Sequence, residues 1–419
     1  MDINVLLGGV NCPCGKHHTC GIEAVYIEKN AAARLTEICK ENRHILLVAD
    51  ENTYAAAGKQ VEAALAGKQL SAVLFSGKEL LVPDEEAIAT VTEALPGVDM
   101  LIAIGSGVLQ DLCKYVSFYN RVPYIVVATA PSMDGYASNG AAMITGGMKV
   151  TYAAGLPRAI LADTEILRNA PMDMIKAGYG DIIGKYSALN DWLLSRCVNG
   201  EYFCQYIYDV TMEQVQCTVA LAKGLLNREE ESVRALMEAL VIIGIMMRFA
   251  GSSRPASGSE HHLSHFFEVT GIVKNTPYFS HGLDVAYSTV ITAAIREKLA
   301  KTPFPKAVYR PDPAAHKGAM EAVYGSVAAG CMALQEKLGT YQRDLSSVYL
   351  EKEQQIKAIL AQCPTAGEVE DLLSLAEIRM EDFYALYGKE KVADAVRYAK
   401  DIKDRYTVLW LNYDLFAGE

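Results

Sequence analysis

The sequence predicts an α/β half followed by an all-helical half, and three observations carry that prediction. Short continuous apolar runs alternate with helical stretches between residues 44 and 164; such runs suit buried strands of a parallel sheet, whose crossovers the helices supply. Beyond about residue 165 strand signals fade and the apolar spacing takes the helical period. A chain of 419 residues also exceeds what one core comfortably holds, so two domains are expected, 1–164 and 165–419.

In chain order, HILLVA at 44–49 reads as the first strand of a doubly wound sheet and ends at Asp50-Glu51. An acid directly after a strand can accept from ribose hydroxyls or cap the next helix, and position alone favours the cap. Residues 71–75 make a second strand and 84–95 a helix. Residues 100–104 make a third strand, which stops at Gly105-Ser106-Gly107. Glycines there admit a ligand close to the backbone, and the helix that follows offers its N–H groups to an anion such as a pyrophosphate. Residues 124–128 repeat the pattern and end in Thr129-Ala130-Pro131-Ser132-Met133-Asp134-Gly135, a run of hydroxyls, a carboxylate and turn formers. Both turns follow strand carboxyl ends, where open α/β sheets bind ligands. Residues 148–158 read as a hairpin, and 159–162 as a last strand ending in Asp163. A standard dinucleotide fingerprint puts its glycines after the first strand; here they wait until the third, so the phosphate turn differs.

A net charge of −11 argues against a nucleic-acid or anionic-membrane surface. The longest apolar block, 239–247, is too short to insert in a membrane and is flanked by Glu238 and Arg248, as a buried helix would be. The N-terminus lacks the basic start of a secretory leader, and ten scattered cysteines do not suggest a disulfide framework, so a cytoplasmic location is expected. Cys12, Cys14, His17, His18 and Cys20 crowd the start. Their spacing is tighter than closed zinc motifs use, which leaves two readings: zinc, or an edge loop or hairpin ahead of the first helix.

Helices are expected at 175–197, 206–226, 233–249, 288–301, 314–338, 345–362 and 392–406. An α/β half joined to such a helical half suggests a substrate cleft between them. Three segments are polar where a helical core should be apolar: GYGDIIGK at 178–185, SGSEHHLSH at 257–265 and HGLDVA at 281–286. Four of the eight histidines fall between 261 and 281, and His261 and His265 share a helix face. One carboxylate with two imidazoles would hold a divalent ion and keep positions open for chemistry; buried or surface histidines without a metal are the plainer alternative.

These residues carry a family resemblance. LLVADENTY, IAIGSGVLQDLCKY, VVATAPSMDGYAS, AILADTEILRNAP, AGYGDIIGKYSALNDW, SGSEHHLSH and HGLDVAYST occur in order between residues 44 and 290. Together they resemble the sn-glycerol-1-phosphate dehydrogenases, a branch of the superfamily that also holds glycerol dehydrogenase, iron-containing alcohol dehydrogenase and dehydroquinate synthase. TAPSMDGYAS with GDxxxKxxALxDW marks that branch in particular. The resemblance implies a Rossmann-like N-terminal domain and an all-α C-terminal domain, as in dehydroquinate synthase. It implies one divalent metal ion, zinc or nickel with iron as a third option, on Asp181, His261 and His281. It implies Asp134, Asp181 and His265 at the substrate. NAD(H) or NADP(H) would lie over Gly105, Ser106, Gly107 and Asp111, reach Thr129, Ser132 and Ser138, and bring its ribose to Asp50. His262 competes with His261 as ligand, and the register that puts His265 one turn further on favours His261. Gly184 stands where relatives often carry alanine, a difference expected to matter little.

The reaction so implied is reversible reduction of dihydroxyacetone phosphate, a phosphorylated triose, to sn-glycerol 1-phosphate, a step of phospholipid biosynthesis, by a homodimer or larger homo-oligomer. His265 is the candidate proton relay, with Lys185 and the helix start at Ser257 to Ser259 as phosphate candidates. A glycerol dehydrogenase acting on the unphosphorylated polyol, a dehydroquinate-synthase-type cyclase or lyase, and a non-catalytic nucleotide sensor are the alternatives.

Overall fold

The computed structural model describes residues 2–418 apart from Leu80 and Gly147. Its chain divides into two compact units, residues 1–179 with 216–253, and 180–215 with 254–419.

The first unit holds ten strands: β1 (Val10–Asn11), β2 (His17–His18), β3 (Ala24–Glu28), β4 (His44–Asp50), β5 (Gln69–Phe75), β6 (Met100–Gly105), β7 (Tyr124–Ala128), β8 (Gly140–Thr145), β9 (Met148–Ala153) and β10 (Ala159–Asp163). Six form a sheet in the order β3-β10-β7-β6-β4-β5. Every pair in it is parallel. The other four make two antiparallel hairpins, β1-β2 and β8-β9. Burial explains the run of apolar residues: β6, β7 and β10 are buried at every position, whereas the edge strands β3 and β5 are half-buried or partly exposed. Ile45, Leu47, Met100, Ile102, Ile125, Val127 and Leu161 form one face of the core.

Strand order fixes where a ligand can sit. The chain steps from β4 outward to β5, then returns across β4 to β6, so the direction of winding reverses between β4 and β6. At such a switch point the crossover loops part and leave a crevice at the carboxyl ends of the strands. Those ends are Asp50 and Gly105.

The HILLVA strand is not the first of the sheet, because β3 precedes it and lies at the opposite edge. Its sequence AVYIE is short and half-buried throughout, so it lacks the unbroken apolar run that identifies central strands. The hairpin expected at 148–158 is β8-β9, 140–153, because its first strand, GAAMIT, reads as loop until its partner is known.

Helices important below are α1 (Gly107–Asn120), α2 (Met172–Ile183), α3 (Lys185–Asn199), α4 (Glu230–Ala250), α5 (Ser259–Lys274), α6 (His281–Lys301) and α7 (Val408–Phe416). Several expected helices are broken. Residues 175–197 divide at Gly184 into α2 and α3, and 314–338 divides near Gly325, whose φ is +55°. At Gly325 a left-handed residue cannot continue a right-handed helix, whereas Gly184 keeps right-handed dihedrals, and apolar spacing registers neither break. The block 239–247 lies buried inside α4.

Candidate functional site

At the switch point the two glycines do different things. A Cβ on Gly105 would strike the Leu109 side chain, its Cβ 2.9 Å away, so this glycine serves helix-strand packing rather than ligand approach. A Cβ on Gly107 would meet only Met133 Cγ, at an ordinary 3.7 Å. The start of α1 is therefore accessible to a bulky group, and the Ser106 side chain does not cap it. Uncapped N–H groups at the start of a 14-residue helix suit a pyrophosphate.

Asp50 does cap a helix: its Oδ1 accepts from the Thr53 N–H at 2.8 Å, and the Thr53 hydroxyl accepts in turn from the Asp50 N–H at 3.0 Å. The cap engages one carboxylate oxygen and does not require the other.

Asp111 is a brace for the neighbouring hairpin. Its Oδ2 accepts from the Ala142 N–H at 3.1 Å and its Oδ1 from Lys114 Nζ at 3.1 Å. Lys114 is fully buried and also donates to the carbonyls of Gly135 (3.0 Å) and Gly140 (2.8 Å) and to Ser138 Oγ (3.3 Å). One ammonium thus ties α1 to both ends of the 135–140 segment. Sequence reasoning passed over Lys114; the signal was a lysine on the buried side of an amphipathic helix, which must have partners. Thr129 is buried and donates its N–H to the Gly105 carbonyl at 3.3 Å, joining the two site turns. Tyr136 lies buried beside Ser132 and donates to the Ala130 carbonyl at 2.6 Å. Asp134 is buried in the same loop, and a Cβ on Gly244 of α4 would come within 2.9 Å of its carbonyl oxygen.

In the second unit Asp181, His261 and His281 offer ligand atoms that all lie within 4.8 Å of one another. Glycines permit this. A Cβ on Gly180 would fall 2.6 Å from Ala286 Cβ and 2.9 Å from the Gly282 carbonyl, and one on Gly184 would fall 2.5 Å from Val285 Cγ1. Two glycines four apart therefore press α2 and its end against α6, with Asp181 between them. Alanine at Gly184 would not be neutral here, since branched Val285 has little freedom to yield.

His261 is oriented from behind. Its Nδ1 lies 2.7 Å from Glu260 Oε1, and its Nε2 lies 3.7 Å from Asp181 Oδ1. An imidazole that gives one nitrogen to a carboxylate presents the other to a metal, and that partner fixes the tautomer. Glu260 is fully buried, and its Oε1 also accepts from the Gly258 N–H at 2.7 Å. The sequence offers no signal for Glu260, because its contact runs back along its own helix start. His262 points elsewhere: it is completely buried, neither ring nitrogen has a hydrogen-bond partner among the described residues, and burial holds its pKa well below the usual value. His265 completes a cluster of rings, its centroid 5.5 Å from His281 and 6.2 Å from His261.

The two phosphate candidates are otherwise engaged. Lys185 Nζ donates to Asp181 Oδ1 at 2.6 Å, both side chains fully buried, so its charge compensates the carboxylate. At the start of α5 the Ser259 N–H donates to Asp191 Oδ2 at 2.7 Å, and Glu260 takes the Gly258 N–H. Two of that helix end's leading donors are thus taken by carboxylates of the chain itself. Asp191 Oδ1 also receives the Val408 N–H and Arg296, each at 2.8 Å. Arg296 further donates to Asn190 Oδ1 (2.9 Å), the Ser187 carbonyl (3.1 Å) and Ser259 Oγ (3.2 Å). This buried network locks α3, α5, α6 and α7 together and accounts for Ser259 among the polar residues found at core positions.

One carboxylate and two imidazoles, with Asp181 and His261 buried and His281 half-buried, fit a divalent transition ion with open positions. Comparison with known proteins agrees with this chemistry. A family model described as iron-containing alcohol dehydrogenase matches residues 26–171. The chain is 34% identical over 298 residues to the NAD(P)+ glycerol-1-phosphate dehydrogenase of Halalkalibacterium halodurans, covering 69% of this chain and 75% of that one. It is likewise 34% identical over 292 residues to that of Bacillus subtilis, covering 67% and 73%. Among solved structures, an iron-containing alcohol dehydrogenase from Thermococcus thioreducens matches with a TM-score of 0.62 at 14% identity, over 96% of this chain and 100% of that one. That likeness establishes the architecture, and the sequence matches establish the branch: the chain belongs to the glycerol-1-phosphate dehydrogenase family.

Proposed function

We propose that this chain catalyses the metal-dependent, NAD(P)H-linked reduction of dihydroxyacetone phosphate to sn-glycerol 1-phosphate, reversibly. The observation that supports it most directly is the convergence of Asp181, His261 and His281, in a chain matched over most of its length by glycerol-1-phosphate dehydrogenases. Reduced nicotinamide supplies hydride, and a divalent ion on the triad supplies Lewis-acid polarisation of the ketone.

The chain's own residues do the rest. Residues 1–164 carry the nucleotide in this reading, and 165–419 carry the metal and substrate. The start of α1 at Gly107 receives the pyrophosphate, supported by Gly105, Ser106 and Asp111 beside it; Thr129, Ser132 and Ser138 line the nicotinamide side, and Asp50 receives the adenosine ribose with the oxygen its cap does not use. Asp181, His261 and His281 hold the ion, with Glu260 keeping His261 in its ligating tautomer. Asp134 and Asp181 position the substrate. His265 delivers a proton from its ring nitrogen to the product oxygen, a task suited to an imidazole near neutral pH. Zinc or nickel, with iron third, occupies the triad; the working form is a cytoplasmic homodimer. Scattered cysteines in a chain of this length support the reducing compartment.

The experiment is NADH and NADPH oxidation by metal-loaded protein with dihydroxyacetone phosphate beside unphosphorylated dihydroxyacetone, followed by chiral assay of the product. Turnover confined to the phosphate, with sn-glycerol 1-phosphate formed, is expected. Preference for dihydroxyacetone would move the chain to glycerol dehydrogenase chemistry, and no turnover with either would sink the reading.

A further inference from the structure

A second set of metal-ligating side chains lies in the N-terminal hairpin, outside everything the proposed reaction uses. β1 and β2 pair Val10 with His18 and Asn11 with His17. The turn between them is closed by the Cys12 N–H donating to the Lys16 carbonyl at 3.1 Å and the Gly15 N–H to the Cys12 carbonyl at 3.0 Å. Gly15, with φ +86°, supplies the left-handed residue that the turn needs. Two residues per strand make a ladder too short to hold itself together in water.

That turn gathers donors. The Cys14 N–H donates to Cys12 Sγ at 3.5 Å, and Cys14 Sγ lies 3.4 Å from His18 Nε2. The ligand atoms of Cys12, Cys14 and His18 lie within 4.8 Å of one another. Around a tetrahedral zinc ion, the usual zinc-sulfur and zinc-nitrogen bond lengths put neighbouring donors about 3.4–3.8 Å apart, so little movement is needed. The His18 ring is not adaptable: it is 2% exposed and stacks on Phe249 of α4, centroids 5.1 Å apart and planes 13° from parallel. Packing therefore presents Nε2 to the sulfurs. The segment just beyond is tied to the same helix, with Arg248 Nε donating to the Cys20 carbonyl at 3.4 Å.

We propose that Cys12, Cys14 and His18 bind a second metal ion, of the zinc class, that ties the turn of this hairpin to His18, the residue whose ring packs on α4. Two thiolates with an imidazole select zinc and its soft neighbours over magnesium or calcium. An N–H donated to Cys12 Sγ stabilises the thiolate that such an ion requires. The fourth tetrahedral position falls to a further donor. Sequence spacing left zinc as only one of two readings here, because Cys-x-Cys followed by a histidine four residues on matches no two-pair zinc motif. The hairpin folds the second strand back over the turn, and only that brings His18 to the thiols.

The test separates this ion from the one on Asp181, His261 and His281, which offers no sulfur. Full-length protein is stripped of metal and reloaded with Co(II). Thiolate-to-cobalt charge-transfer absorption in the near ultraviolet is expected; it persists in His261→Ala and is lost in the Cys12→Ser/Cys14→Ser variant. In the zinc protein that double variant loses about one metal equivalent per chain. Zinc-edge X-ray absorption of the unmodified protein, which no folding defect can confound, shows sulfur neighbours. Nitrogen and oxygen neighbours alone, or a cobalt-sulfur band unchanged in the double variant, would overturn the proposal. All these readouts are independent of activity, so a protein inactive on the triose phosphate leaves them interpretable.

Discussion

His261 and Glu260 show how a single contact decides a ligand. Both His261 and His262 start α5, but only His261 has a carboxylate on Nδ1 and a second carboxylate near Nε2. His261→Ala is expected to lose the triad's metal and turnover while the first unit still binds NADH, read by metal analysis beside cofactor fluorescence. Glu260→Gln keeps the shape and removes the charge behind the ring; metal affinity should fall by about 10–100-fold, measured by chelator competition. Asp50 needs more care, because it caps a helix as well as standing at the switch point. Asp50→Ala would mix a cap loss of about 1 kcal/mol with any cofactor effect. Asp50→Asn retains an acceptor for the cap, so a rise in cofactor Kd with little change in melting temperature would isolate the ribose contact. An unaltered Kd for both NADH and NADPH would leave Asp50 as a cap alone.

Elements place these residues by how closely their backbones approach. Gly180 and Gly184 let α2 and the start of α3 lie against α6, and this spacing sets Asp181 relative to His281. Gly180→Ala puts a methyl group against Ala286 and the Gly282 carbonyl, neither of which can swing aside. Destabilisation of about 1–3 kcal/mol in chemical denaturation, with weakened metal retention, is the expected result. A stable, fully metallated Gly180→Ala protein would show that the approach is not what places Asp181. The sheet was legible where burial is complete, as in β6 and β7, and illegible at β3, whose half-buried residues carry no unbroken apolar run.

Over the whole molecule, buried ionisable groups tie stability to pH. His316 is buried among Tyr341, Tyr413, Lys400 and Asp401; burial lowers its pKa from the usual 6.5, Lys400 lowers it further and Asp401 opposes. A histidine whose folded pKa is depressed accepts its proton more readily in the unfolded chain. Its contribution to stability is therefore whole above about pH 6.5 and is lost as pH falls below that value. Urea midpoints should decline from about pH 7.5 to pH 5.5, and His316→Gln, which can still meet both tyrosines, should flatten that decline. An equal decline in the variant would assign the acid limb to other groups.

The sequence by itself determined the class of each half, the positions of the central strands, the two site turns and the residues able to ligate a metal. These are properties of local pattern: apolar runs, glycines after strands, and clustered histidines and carboxylates. Tertiary structure alone decided which of two adjacent histidines faces Asp181, that Lys185 and the first two donors of α5 are spent on internal partners, that Lys114 organises the 135–140 segment, and that Cys12, Cys14 and His18 meet. Except for the Lys185–Asp181 pair, only four residues apart, each of those depends on distances between residues far apart in the chain or on the path of a turn. Spacing along a sequence records which donors exist; packing decides which of them are already satisfied.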